Sequence, residues 1–219
     1  VRQTNFIGGG VNAITKSGTN KFKGTAYVYH RNENMRGDAI EGEQISNARA
    51  TDRNTTFGFT LGGPIVKNKL FFFVNFEMQN KPGEAVQYQA DASKQAVLQK
   101  IADKLKNDYG YDPGSYTDYP GGIQNRKLLA RLDWNISDAH KLSVRYNNTT
   151  NTTWYAPNGN SCDDSYRNKD YNRASAVSQP FSYNMYSQQN DVWSIAGELN
   201  SRFSNSLSNR LIRSEERRV

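Results

Sequence analysis

Apolar and polar residues alternate one by one along several stretches of this chain. The clearest file places Leu128, Ala130, Leu132, Trp134 and Ile136 on one face, with Lys127, Leu129, Arg131, Asp133 and Asn135 between them. A period of two is the mark of a strand, whose successive side chains point to opposite faces. After a tight turn at Ser137-Asp138-Ala139, Leu142, Val144 and Tyr146 repeat the scheme against Lys141, Ser143, Arg145 and Asn147. Upstream, Phe57, Phe59 and Leu61 oppose Thr56, Gly58, Thr60 and Gly62, and Phe72, Val74, Phe76 and Met78 oppose Phe71, Phe73, Asn75, Glu77 and Gln79. Turn residues at 62–69 separate these two runs. A first strand is predicted over 24–30, with Thr25, Tyr27 and Tyr29 opposite Ala26, Val28 and His30. A sixth carries Trp193, Ile195, Gly197 and Leu199 against Ser194, Ala196, Glu198, Asn200 and Arg202, and Asn205-Ser206 turns into a seventh beginning near Leu207.

The connections between these strands are unequal in a regular way. Long loops are predicted near 31–53, 80–123 and 148–188, and short turns lie between them. Inside the second loop Val97, Leu98, Ile101 and Leu105 recur at helical spacing, with Ser93 as the expected cap and Gly110 as the stop. An apolar file opposite a charged file requires two different solvents. Long loops at one end and short turns at the other, with strands near the roughly 9–11 residues that cross a bilayer when tilted, predict part of a transmembrane antiparallel β-barrel.

Composition agrees. Only 36% of residues are hydrophobic, yet there are 13 Tyr, 10 Phe and 3 Trp, too many aromatics for a disordered chain. No apolar run approaches the roughly 18 residues of a spanning helix. The net charge is +7, but the 28 Lys and Arg are scattered rather than massed, so nucleic acid is not an expected partner. A single Cys, Cys162, excludes an internal disulfide, and with His30 and His140 as the only histidines neither a metal site nor a cofactor is expected. Asp163 and Asp164 read as solvated acids rather than calcium ligands. No nucleophile elbow or catalytic triad spacing is present, and no enzyme is expected.

One stretch organises the rest. Gly8-Gly9-Gly10-Val11-Asn12-Ala13-Ile14-Thr15-Lys16-Ser17-Gly18-Thr19-Asn20 combines glycines, a short alternating run and a turn, and leads directly into the first strand. Together with Phe59-Thr60-Leu61-Gly62-Gly63-Pro64-Ile65 and Lys69-Leu70-Phe71-Phe72-Phe73-Val74-Asn75-Phe76-Glu77, it resembles the Oar-like branch of TonB-dependent outer-membrane receptors. The resemblance is good over about residues 6–80 and looser through Asn125–Tyr146 and Asp191–Phe203. It implies that residues 1–20 end a plug domain and that 21–212 begin a barrel of about 22 strands. The junction residues would be Gly9, Gly10, Asn12, Thr15, Ser17 and Gly18. The true N-terminus, with a TonB box, is then expected far upstream. Implied partners are outer-membrane lipid, the TonB complex, a surface lipoprotein and a small nutrient. Residues 213–219 break the alternation, resemble a translated sequencing adapter and are expected to be a non-native tail.

Two groups of residues are candidates for substrate contact. Tyr109, Tyr111, Tyr116 and Tyr119 could stack on a peptide or glycan, or pack the second loop on itself. Arg131, Asp133 and Arg145, with Glu77, Glu198 and Arg202, could line the lumen, or pair across strands within the wall. Trp134 reads as an interfacial anchor. A passive porin and a soluble β-sandwich that binds glycans are the alternatives, the second burying both apolar faces in one core.

Overall fold

The computed structural model describes residues 15–35, 37, 39–44, 52–83, 90–155 and 179–218. Seven long strands form one antiparallel sheet: β1 (Lys23–Arg31), β4 (Asn54–Val66), β5 (Leu70–Lys81), β6 (Ile123–Asn135), β7 (His140–Tyr155), β8 (Tyr186–Arg202) and β9 (Ser208–Arg218). They follow one another in space in this order, as a meander, and the sheet is open between β1 and β9. Two very short strands, β2 (Ala39–Ile40) and β3 (Glu43–Gln44), pair in the first loop, and one helix, α1 (Ala92–Tyr109), lies in the second.

The register lines up the alternating files into rows. Leu61, Val74, Ala130, Tyr146 and Ile195 form one apolar row across five strands, and in the next Phe59, Phe76 and Leu128 lead through Asn148 to Trp193. Because facing residues of neighbouring strands share a face, the whole apolar file lands on one side of the sheet. No second sheet packs on it among the described residues. Leu61, Leu132 and Trp134 remain 43%, 46% and 46% exposed, which a sandwich core would not permit. The β-sandwich alternative is thereby set aside.

The strands extend beyond the expected boundaries. β4 continues through Pro64 to Val66, with a bulge between them, and the turn is only Lys67–Lys69. Proline is tolerated because β1 pairs with β4 only as far as Gly62, so no ladder partner needs its missing N–H. β7 runs to Tyr155 and β8 starts at Tyr186, well inside the loop expected over 148–188. Their extra rungs pair Asn, Thr and Gln, such as Thr152 with Gln189, where the hydropathy pattern has ended but the backbone ladder has not. β2 and β3 also fell in an expected loop. Their turn, Glu41-Gly42, has φ of 52° and 90°, the two-residue hairpin geometry in which both central residues adopt positive φ.

The helix is where the periodicity placed it, but its cap is Asp91 rather than Ser93. The Asp91 carboxylate accepts the Lys94 N–H at 3.0 Å, and the Ser93 hydroxyl donates to the same carboxylate at 2.6 Å. Gly110, at φ 65°, closes the helix: its N–H reaches Lys106 O and that of Tyr111 reaches Leu105 O, both at 3.1 Å. Lys104 and Asp108 pair one turn apart.

The inequality of the connections is spatial as well as sequential. Turns 67–69, 136–139 and 203–207 lie at one end of the sheet, and the three long connections leave β1, β5 and β7 at the other. At the long-loop end, Asp52 is buried and accepts Arg31 at 3.2 Å and Lys81 at 3.5 Å, clasping the ends of β1 and β5.

Candidate functional site

The polar face of the sheet is organised by small residues and ion pairs. Gly58 of β4 leaves room for the ring of Tyr27 from β1, since a Cβ there would strike the phenol. Lying across that gap, the Tyr27 hydroxyl donates to Glu77 Oε2 of β5 at 2.7 Å. The other Glu77 oxygen takes Lys127 of β6 at 2.9 Å. Further along, Glu198 of β8 holds Arg210 of β9 at 2.8 Å and accepts from Asn200. These contacts are the cross-strand pairing of a polar wall.

Arg131 departs from that pattern. Its guanidinium grips Asp133 of the same strand through Nε, at 3.0 and 2.9 Å to the two oxygens, and through Nη2 at 2.8 Å. The remaining nitrogen, Nη1, donates to both the main-chain oxygen and the hydroxyl of Thr15, each at 2.9 Å. The segment 15–22 therefore crosses the polar face. Thr15 lies over β6, and Gly18 lies against β4 and β5, where a Cβ would collide with the carbonyl oxygens of Phe72 and Gly63. Gly18 is needed for this close backbone approach.

The segment then wraps under the short-turn end. Asn20 clamps the first turn: its Oδ1 accepts the Asn68 N–H at 2.8 Å and its Nδ2 donates to Asn68 Oδ1 at 2.5 Å. Asn68 sits at φ 63°, a left-handed position that asparagine tolerates, and Asn135 Nδ2 donates to its carbonyl at 3.0 Å. Phe22 emerges on the apolar face beside Phe72, with ring centres 6.2 Å apart. Asn20, Asn68 and Asn135 were missed by sequence reasoning. The signal available was an Asn between two lysines in a three-residue turn.

Of the junction residues expected, Thr15, Ser17 and Gly18 are placed on this crossing, and Ser17 lines a concavity of about 370 Å³ against Thr25 and Thr60. Gly9, Gly10 and Asn12 lie outside the described residues, as do Cys162, Asp163 and Asp164. The expected lumen group comes together: Arg131, Asp133 and Arg145 line one concavity of about 510 Å³ with Thr15, Lys141, Glu198 and Arg210.

The tyrosines do not form one surface. Tyr119 is only 4% exposed, and its hydroxyl donates to the carbonyl oxygen of Tyr116 or Pro180, 2.7 and 2.9 Å away, while accepting from Gln179 at 2.5 Å. Tyr116 packs edge-on to Phe181 and donates to Gln99 of α1 at 2.9 Å. The Ser115 and Ser182 backbones add Ser182 N–H to Ser115 O at 2.7 Å, and Ser115 N–H reaches Ser182 Oγ at 2.8 Å. Tyr116 and Tyr119 thus latch the second long loop, its helix and the third loop together. Tyr109 and Tyr111 stay exposed.

Comparison with known proteins gives a consistent picture. The family described as the outer membrane beta barrel domain matches residues 14–90. The chain is 28% identical over 156 residues to the TonB-dependent transporter Oar of Myxococcus xanthus, covering 67% of this chain and 14% of that protein. The sheet has the architecture of outer-membrane barrel wall, and the chain resembles the Oar-like, TonB-dependent receptors. Its place is the outer membrane of a Gram-negative bacterium. The apolar face is then the lipid face and the polar face the lumen face. The chain spans about 14% of the length of the Oar protein it matches. No solved structure matches it significantly.

Proposed function

We propose that this chain is part of an outer-membrane receptor that imports a small nutrient, a peptide, glycan or metal chelate, with energy delivered through the TonB complex. The observation that carries the reading is the pinned segment 15–22. A passive porin has no need to fasten an incoming chain across its lumen face through a guanidinium, a glycine contact and an asparagine clamp. A lumen-filling plug does, because it must remain attached to the wall while the rest of it moves. The extracellular latch around Tyr119 would present the capture loops, with a surface lipoprotein as a further partner.

The test is uptake by cells carrying the full-length gene. Disabling TonB or removing the upstream TonB box should abolish uptake and leave the receptor in the outer membrane. Uptake that persists at the same rate without TonB would establish the passive channel instead.

A further inference from the structure

The lumen face is unevenly charged. Ahead of residue 213 its described strands carry three carboxylates, and each already has a cation: Glu77 with Lys127, Asp133 with Arg131, and Glu198 with Arg210. Lys141 and Arg145 stand in the same concavity with no hydrogen bond or ion pair of their own among the described residues, and the carboxylate whose field reaches Arg145, Glu198, is already bound to Arg210. Arg145 stands directly opposite Arg131 in the β6–β7 register. Like charges placed opposite one another destabilise a sheet, and a guanidinium cannot shed its proton to relieve the repulsion. The concavity therefore stays positive at any physiological pH.

Thr15 lines the concavity with both its oxygens taken by Arg131, and the segment 15–22 contains no Asp or Glu. The volume, about 510 Å³, is in the range of small-molecule sites. Low-dielectric walls focus such a field on passing solutes. We infer that this concavity is a station for an anionic nutrient bearing a carboxylate, with Arg145 making the forked contact and Lys141 a second charge. A planar guanidinium matches a carboxylate in two parallel hydrogen bonds, which gives orientation as well as attraction.

The inference rests on the transporter reading and names its cargo class. Its test uses the full-length receptor in native outer membranes, labelled with p-hydroxyphenylglyoxal and read by mass spectrometry at Arg145, with Arg202 as an internal reference. Glutarate is the anionic probe and glutaramide its neutral counterpart. Arg145 should label readily without additions, and saturating glutarate should slow it by roughly tenfold, as for a site about 90% occupied, while glutaramide and the Arg202 reference show no effect. Equal labelling with glutarate and glutaramide overturns the station. An Arg145 that resists labelling before any anion is added also overturns it, since a protein carboxylate then occupies the site. Labelling requires no energised uptake, so a receptor can fail this test and still import through TonB, or the reverse.

Discussion

Arg131 joins two parts of the chain that are 116 residues apart in sequence, Thr15 and the β6 strand, with one side chain. Its three contacts to Asp133 fix the plane of the guanidinium, and that leaves Nη1 aimed at Thr15. Hydrogen bonds to charged groups contribute about 1.5–3 kcal/mol each, and an abandoned partner adds its own desolvation cost. Arg131→Gln should therefore free the junction while leaving the strand paired. In the full-length receptor, trypsin should cut after Lys16 and Lys21 far faster than in the parent, and Asp133→Asn, which keeps the Thr15 contact, should have a smaller effect. Unchanged cleavage in Arg131→Gln would show that Gly18 and Asn20 hold the segment alone. Arg131 was legible in the sequence as a lumen charge because its neighbours alternate with apolar residues. Its link to Thr15 was not, since a contact across 116 residues leaves no local pattern.

The strands were read from period two, and the reading stopped where the pattern stopped. On β7 and β8 that point, near Asn148 and Trp193, is the edge of the lipid belt rather than the end of the ladder. Above it both faces meet water, so Thr, Asn and Gln replace the alternation while the backbone bonds continue. The helix shows a different limit. Ser93 and Asp91 are both good caps by type, and only geometry shows that Asp91 bonds the Lys94 N–H while Ser93 supports the carboxylate. The Ser93 hydroxyl, and then the Lys94 N–H, hold the Asp91 carboxyl below its ordinary value of 3.8. A depressed folded value means that the cap stabilises the helix above the unfolded value and is lost as pH falls through the folded one. Protection of the Lys94 amide, taken as its exchange relative to the unstructured rate at each pH, should fall on acidification, and Asp91→Ala should remove that dependence. The latch gives a second test. Tyr119→Phe removes the hydroxyl shared by Tyr116, Pro180 and Gln179, at a cost of about 1–3 kcal/mol for a buried group left unsatisfied. Exchange at Ser115 and Ser182 should rise together, and a rise at only one would show that the loops are not coupled through this residue.

At the scale of the whole sheet, the lipid belt decides what can stand where. Its upper rim is marked by Arg126 and Asp191, on one row with Thr150, whose hydroxyl donates to Asp191 at 3.1 Å. Trp134 and Phe22 stand on the apolar face at the short-turn end, where aromatic girdles form. In register with β8, β9 sets Arg213 and Glu215 opposite Gly197 and Ile195, within the belt, and Arg217 opposite Trp193 at its rim. Basic groups facing lipid cost up to about 2–4 kcal/mol each and acidic ones less, which is the physical ground for the proposal that 213–219 is a non-native tail. Native codons continuing through Arg213–Val219 in the parent gene would overturn it. The same belt yields a direct comparison within β6. Leu132 lies on the lipid face and Leu129 on the lumen face, three residues away on the same strand. Leu132→Arg should destabilise the folded barrel by about 2–4 kcal/mol, whereas Leu129→Arg, whose side chain meets a polar lumen, should cost under about 1 kcal/mol. The heat needed to unfold the receptor on a semi-native gel reads the difference. If both substitutions weakened the receptor equally, the apolar face would be packed against protein rather than lipid, and the assignment of one face to lipid and the other to the lumen would have to be abandoned.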